Sequence, residues 1–486
     1  MKRQDPGIER VVRAPPKVGV FGIGLEAYWG QFEGLHDRLV GYQAQVESRL
    51  AGFGVDLVSA GLVDTAPRAR AAGELFSREG VDLIVCYVAT YATSSQVLPV
   101  VQQRRVPVLV LNLQPTAQLD YPNVDTGEWL ANCCACCVPE LSCAFARADI
   151  DFNVVSGHLF EEAPPGSSLG PAWSQIEDWC IAAIAVGTVR TARFGFLGHT
   201  YPGMLDMYTD FTMVHAQLGA HVEVLEMCDL KTRVDAVTDP EIAAKLEVVR
   251  QVFDIQAGVT DGPLLWSARV ACGLDRLIAD FELDGLAYYY RGLDGNEYEE
   301  LGASLIVGNS LLTARGIPCA GEGDLKTCIA MLLMDALEAG GSYTEFYAMD
   351  FVDNFVLMGH DGPGHIAISD SQPQLRQLEL FHGKRGAGVS VEFKVKNGPI
   401  TILGLTQTRD GNMKLIAAEG DSLPGPIMQI GNTNSRLQFG LGPAQFMDAW
   451  CTQGPTHHVA LGVGHQLRRL RKVARLLGID LSITGD

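Results

Sequence analysis

The chain of 486 residues is 47% hydrophobic and 19% charged, the make-up of a folded protein too long for a single core. Its formal net charge of -20 excludes nucleic acid and anionic membrane surfaces as partners, because phosphate contacts need a basic face. Twelve cysteines in so long a chain make no disulfide scaffold, and the reading is a cytoplasmic protein with free thiols.

The opening Met1-Lys-Arg-Gln-Asp-Pro does not read as a signal peptide. Apolar runs such as Val81 to Ala92 are too short to cross a membrane. Lys17 to Gly24 reads as a buried strand entering a glycine turn, and Gly34 to Phe53 as a helix. Val55–Ser59, Val81–Tyr87 and Val106–Asn112 read as strands, with helices over Arg68–Glu79 and Val97–Gln103 between them. This alternation predicts a parallel sheet covered by helices. Gly22 and Gly24 lack a third glycine three residues on, so a dinucleotide site is poorly supported. The run Cys133-Cys134-Ala-Cys136-Cys137 invites a metal reading, but its spacing lacks separated pairs. Small buried residues lining a helix are the plainer reading of it.

A helical stretch from Pro171 to Val186 and a linker over 187–192 lead into a second cycle at Arg193. Strands are expected at Arg193–His199, His221–Glu226 and Gly285–Tyr290. Helices are expected near Met207–Leu218, Pro240–Phe253, Trp266–Phe281 and Ser304–Arg315. From about Met349 the texture changes to short alternating runs, with turn signals at Lys396-Asn-Gly398 and Arg409-Asp-Gly-Asn412. A basic helix, Gln466 to Leu477, closes the chain. The fold class is therefore α/β: two Rossmann-like parallel-sheet domains, 1–188 and 189–348, then a β-rich, barrel-like domain, 349–486.

The stretch of most chemical interest is Cys319-Ala-Gly-Glu-Gly-Asp-Leu-Lys326, followed by an apolar run. Glu322 stands between two glycines, where no neighbouring side chain blocks its approach to a ligand. Asp324 is a plausible N-cap, and Gly340-Gly341 stops the helix. An ordinary acidic loop before a buried helix would read the same way. Glu345, His360 and the pair His457-His458 alter that balance. Carboxylates and imidazoles together suit manganese, iron, cobalt or zinc better than calcium. No short metal motif joins them, so the set would be assembled by the fold, with His365 and His457 as competing ligands.

Gly321-Glu-Gly-Asp-Leu-Lys-Thr327 resembles the corresponding run of the L-arabinose isomerases. Val356-Leu-Met-Gly-His360 and Trp450-Cys-Thr-Gln-Gly-Pro-Thr-His-His458 are similar to that family's later motifs. Glu26-Ala-Tyr-Trp-Gly-Gln-Phe32 and Val154-Val-Ser-Gly-His158 fit the wider arabinose/fucose isomerase group. The resemblance implies a metal-dependent aldose–ketose isomerase acting on a pentose or 6-deoxyhexose, and a homo-oligomer, a trimer or hexamer. It implies Glu322, Glu345, His360 and His458 as ligands of Mn2+, or of Co2+, Fe2+ or Mg2+. Glu322 and Glu345 would form the acid–base pair, with Asp350 the rival for the second acid. Tyr28, Gln31, His199, Cys136 and Glu140 are the implied sugar-binding residues. Tyr28 would reach a neighbouring subunit's site, or simply pack locally. Ala131-Asn-Cys-Cys-Ala-Cys-Cys137 departs from the family's Asn-Gln-Thr-Ala-His-Gly-Gly run, which puts L-arabinose itself in doubt as substrate.

The residue types suit the chemistry. Isomerisation takes a proton from C2, delivers one to C1, and moves one between the two oxygens. A divalent cation stabilises the enediolate, while paired carboxylates beside it take the roles of base and acid. Two alternatives remain: a sugar-binding or regulatory protein without turnover, and a metal-dependent lyase or epimerase.

Overall fold

The computed structural model describes residues 8–291, 296–378, 380–381, 384–385 and 388–485; the opening Met1–Pro6 lies outside them. Ala14–Gly187 forms one compact unit, and Thr188–Asp486, with the segment up to Arg13, forms the other.

The first unit is built on five parallel strands: β1 (Lys17–Ile23), β2 (Asp56–Val63), β3 (Leu83–Tyr87), β4 (Val108–Gln114) and β5 (Phe152–His158). Their order is β2-β1-β3-β4-β5. Leu83-Ile-Val-Cys-Tyr87 is buried at every position, as a strand covered by helices on both faces must be. Helix Leu35–Ala51 buries Leu35, Leu39, Val46 and Leu50 against this sheet unit's core, and Gln43 with them.

Three expectations change here. The helix from Pro171 runs on to Arg190, through most of the stretch read as a linker. The cysteine run lines no helix: it forms the turn between helices Thr126–Ala131 and Val138–Arg147. Cys133 and Cys136 are joined by a disulfide, against the expectation of free thiols. Cys134 and Cys137 are buried thiols.

The second unit opens with a parallel sheet of β6 (Arg193–Gly198), β7 (His221–Leu225), β9 (Gly285–Tyr289) and β10 (Cys319–Ala320), in the order β10-β9-β6-β7. The helix expected over Met207–Leu218 is broken. A 3₁₀ turn at Leu205–Met207 is followed by Phe211–Met213 and a π-helical Val214–Leu218. The Asp210 carboxylate accepts from Thr212 N and Met213 N at 2.8 and 3.2 Å, so a new helix start falls inside the expected span. Residues 199–210 before it run as an irregular strap.

The C-terminal strands close a barrel. β11 (Gly340–Asp350), β12 (Phe355–His360), β17 (Gly398–Gln407), β18 (Met413–Ser422), β19 (Thr433–Phe439) and β20 (His458–Val463) pair antiparallel in the order β17-β20-β11-β12-β19-β18. β18 pairs again with β17, so no open edge remains in the ring. β21 (Asp480–Ile483) lies parallel on β18. The interior side chains include Val356, Met358, Ile402, Ile416, Val459 and Leu461. A three-stranded sheet of β8 (Asp254–Ile255), β13 (Gln374–Gln377) and β16 (Val389–Glu392) flanks the barrel, and β14 (Leu380–Phe381) pairs with β15 (Lys384–Arg385).

Helix Leu325–Ala336 lies between the parallel sheet and the barrel, touching β9 and β10 on one side and β11, β17 and β20 on the other. Every residue from Leu325 to Asp335 is buried, which is why its sequence is apolar all round. Its two buried charges are both met. Lys326 Nζ donates to Tyr208 O at 2.8 Å, and Asp335 pairs with Arg10 and His365. This helix carries the Glu322 loop to the rim of the barrel.

Candidate metal and active site

Glu322 follows β10 at the C-terminal edge of the parallel sheet, where such sheets bind ligands. Its backbone is left-handed, at φ 58, a conformation that costs a non-glycine residue roughly 1 kcal/mol or more and gathers at functional sites. Three main-chain hydrogen bonds hold it: Tyr201 N to Glu322 O, Gly323 N to Tyr288 O, and Asp324 N to Gly321 O, at 2.9, 2.9 and 3.0 Å. Gly323 is also left-handed, and a Cβ there would meet His199 O at 2.5 Å. The loop therefore needs glycine after Glu322, and the tight fit fixes the direction in which the Glu322 side chain leaves the backbone.

Asp324 caps the following helix, as its sequence position predicts, accepting from Thr327 N at 3.0 Å. It also faces His458. His458 Nδ1 lies 3.1 Å from Asp324 Oδ2 and 2.7 Å from the Tyr343 hydroxyl. The Tyr343 hydroxyl donates to Gly321 O at 3.1 Å, so its oxygen accepts from the imidazole. That arrangement puts the proton on Nδ1 and leaves the Nε2 lone pair for a ligand. Burial alone would raise the Asp324 carboxyl, but the His458 and Thr327 contacts hold it below the usual carboxylate range.

His458 Nε2 lies 3.7 Å from Glu322 Oε2 and 3.2 Å from His360 Nε2. Two nitrogens each about 2.1 Å from one ion stand about 3.0–3.4 Å apart at octahedral to tetrahedral angles. His457 Nε2 is also 3.7 Å from Glu322 Oε2, and ligand atoms of Glu322, His457 and His458 all lie within 4.8 Å of one another. His457 is anchored by Asp206: its ring Nδ1 and main-chain N contact Asp206 Oδ2 at 2.7 and 2.9 Å. Burial works against charge on His457, but Asp206 and Glu322 together raise it to about 10. The donor set of carboxylate and imidazole, with ring tautomers fixed from behind, fits a divalent cation.

Glu345 is half-buried on β11, directly opposite His458 on β20 and Gly359 on β12. Opposed residues share a face with Cβ atoms about 5 Å apart, so its side chain emerges beside His458. Asp350 sits elsewhere, at the end of β11, where its carboxylate accepts from Val352 N and Asp353 N of the turn that follows at 2.9 and 2.8 Å. His365 is buried against Asp335 at 3.2 Å, in a structural pairing. A cleft beside Glu322 and His360 is lined by Tyr288, Tyr289, Tyr290, Asp361 and Pro363. The His199 ring packs edge-on to Tyr289, one of the lining residues, at 5.2 Å.

Tyr28, Gln31, Cys136 and Glu140 belong to the first unit. Tyr28 packs edge-on to Phe32 at 6.1 Å, and Gln31 Nε2 donates to Ala27 O at 2.6 Å. Glu140 accepts from Ser94 N at 2.7 Å and from the Tyr91 hydroxyl at 3.2 Å. Cys136 is held in its disulfide. Sequence reasoning missed Asp206, Tyr343 and the support that Asp324 gives His458. Three tyrosines ending a parallel strand, Tyr288 to Tyr290, were a legible sign of a cleft wall. Asp206 gave none, since its partner lies 251 residues away.

A model of the L-arabinose isomerase C-terminal domain matches residues 340–480, a span that starts with the first barrel strand. An L-arabinose isomerase from Acidothermus cellulolyticus is 25% identical over 91% of this chain and 89% of its own length. One from Cellvibrio japonicus is 22% identical over 83% and 80%. A sulfoquinovose isomerase from Alkalicoccus urumqiensis is 24% identical over 61% of this chain and 66% of its own. No helix among the described residues is long and apolar enough to cross a membrane. The C-terminal domain model and the near full-length relatives agree in what this chain resembles, the L-arabinose isomerases.

Proposed function

We propose that this chain is a divalent-metal-dependent aldose–ketose isomerase whose site is formed around Glu322, Glu345, His360 and His458. One observation carries the reading. The second unit brings the Glu322 loop, the end of β12 and the start of β20 together, with His360 and His458 nitrogens 3.2 Å apart and Glu345 opposite His458. A bound divalent ion, Mn2+ by the family resemblance, would supply Lewis-acid polarisation of the sugar oxygens.

The chain's own groups do the rest. Glu322 and Glu345 are the two carboxylates that would take a proton from C2 and return one to C1. His360 and His458 are neutral donors, and Asp324 holds the His458 ring so that Nε2 faces inward. Tyr288, Tyr289 and Tyr290 line a small cleft beside Glu322 and His360 and supply hydroxyl and aromatic surface at the edge of the site. The substrate is an aldopentose or 6-deoxyhexose, and the assembled enzyme is a homo-oligomer acting in the cytoplasm.

Proton NMR of an aldose panel in deuterated water, with manganese-loaded protein and a chelated control, tests this reading. L-arabinose, L-fucose, D-arabinose and L-rhamnose form the panel. Ketose formation that requires metal is the expected result. Cleaved or epimerised products would replace isomerisation by the lyase or epimerase alternative. A protein that binds a sugar yet holds no metal would make it a binding protein.

A further inference from the structure

The strap 199–210 touches the candidate site at three places. Tyr201 N donates to Glu322 O, Tyr208 O and Thr209 Oγ1 accept from the buried Lys326 ammonium at 2.8 and 3.5 Å, and Asp206 holds His457. Asp210 N adds a bond at 3.2 Å to Gln407 Oε1 on β17. An irregular segment is thus tied at both ends and in the middle.

Asp206 makes two contacts with one residue. It accepts from the main chain of His457 and from its ring Nδ1. The first fixes where His457 begins, and the second fixes which way its ring faces. With Nδ1 turned to Asp206, Nε2 is the atom left facing Glu322 Oε2 at 3.7 Å. The same construction stands behind His458, where Asp324 takes Nδ1 and Nε2 faces Glu322 at the same 3.7 Å. Two carboxylate-backed imidazoles therefore converge on one carboxylate. A carboxylate behind an imidazole orients a metal ligand and strengthens its donor nitrogen.

We infer that Asp206 is a positioning residue that holds His457 as an additional metal-binding group, so that the strap forms part of the metal centre. The inference rests on the metal-dependent reading above. It assigns His457 a place beside, and not instead of, His360 and His458.

The test is Mn2+ affinity, read from the electron paramagnetic resonance of free Mn2+ titrated with full-length protein. D206N should weaken binding tenfold to a hundredfold while the melting temperature stays near that of wild type. H457A should weaken it by a similar factor, and D206N/H457A should bind no more weakly than H457A alone, because Asp206 acts only through that ring. A general structural loss would instead add to the effect of H457A. D206S gives a second removal of the carboxylate should D206N fold poorly. Unchanged affinity in D206N, or additive losses in the double variant, overturns the inference alone. A wild-type chain that binds no Mn2+ overturns the metal-dependent reading and the inference with it.

Discussion

The two histidines of the pair meet Glu322 at the same distance but stand in unlike surroundings. The His458 side chain is 0% exposed, and so is that of Asp324 behind it. Both sit on regular elements, a strand start and a helix cap, and Asp324 is itself bound by Thr327 N and by the Thr327 hydroxyl at 2.8 Å. His457 and Asp206 are 35% and 34% exposed, and Asp206 rides on the irregular strap. The inner arm is preorganised by packing, so its geometry is fixed before any ligand arrives. The outer arm is held by hydrogen bonds open to water, which compete with solvent and allow adjustment. In the proposed centre, the inner imidazole would be the rigid one and the outer imidazole the adaptable one.

The comparison fails at its centre if Glu322 is not shared by both arms. E322Q should abolish turnover with the circular dichroism spectrum unchanged, and E345Q should do the same, losses of at least about 10²–10⁴-fold if each moves a proton. Residual activity near wild type in either variant would remove that residue from the chemistry. The arms themselves are compared by H458A and H457A. Manganese affinity and turnover should fall further for H458A, because the rigid ligand carries more of the binding. Equal losses would erase the distinction between them.

The inner support is sharpened by D324A. Loss of the helix cap should cost about 1 kcal/mol, seen as a lower urea midpoint, and manganese affinity should fall by tenfold or more. A stability loss with unchanged affinity would reduce Asp324 to a cap. The smallest effect belongs to the outer arm in the metal-free protein. The His457 imidazolium is raised to about 10 from an ordinary value of about 6.5. Its stabilisation is therefore complete below about pH 6.5 and is lost as pH rises through about 10. The melting temperature should decline across that window in wild type and less so in H457A; parallel curves would show that the pair does not stabilise the fold.

Much of the architecture was legible in the sequence because it follows periodicity. Val81 to Tyr87 is a continuous apolar run and forms a strand buried on both faces. Of the alternating runs read from about Met349, those at Phe355, Pro399 and Met413 lie in barrel strands, whereas the first barrel strand, Gly340–Asp350, was not read as one. Arg409-Asp-Gly-Asn412 makes a turn between strands, with Thr408 N bonded to Asn412 O at 2.8 Å. The stretch Met207–Leu218 misled because its apolar spacing is helical, whereas Asp210 restarts the chain midway. The cysteine turn misled because a pair three residues apart can close a local disulfide in a chain with no wider disulfide framework.

The sequence alone determined the α/β order, several barrel strands, the glycine-flanked loop around Glu322 and the residue types of the site. Each of these depends on neighbours within a few positions, through periodicity, turn chemistry and the freedom of glycine. Only the tertiary structure decided which groups meet. His365 pairs with Asp335, Asp350 serves a turn, and His457 finds Asp206 across 251 residues. Those choices depend on strand register and on where the strap is tied, and no local pattern encodes contacts made across such distances in the chain.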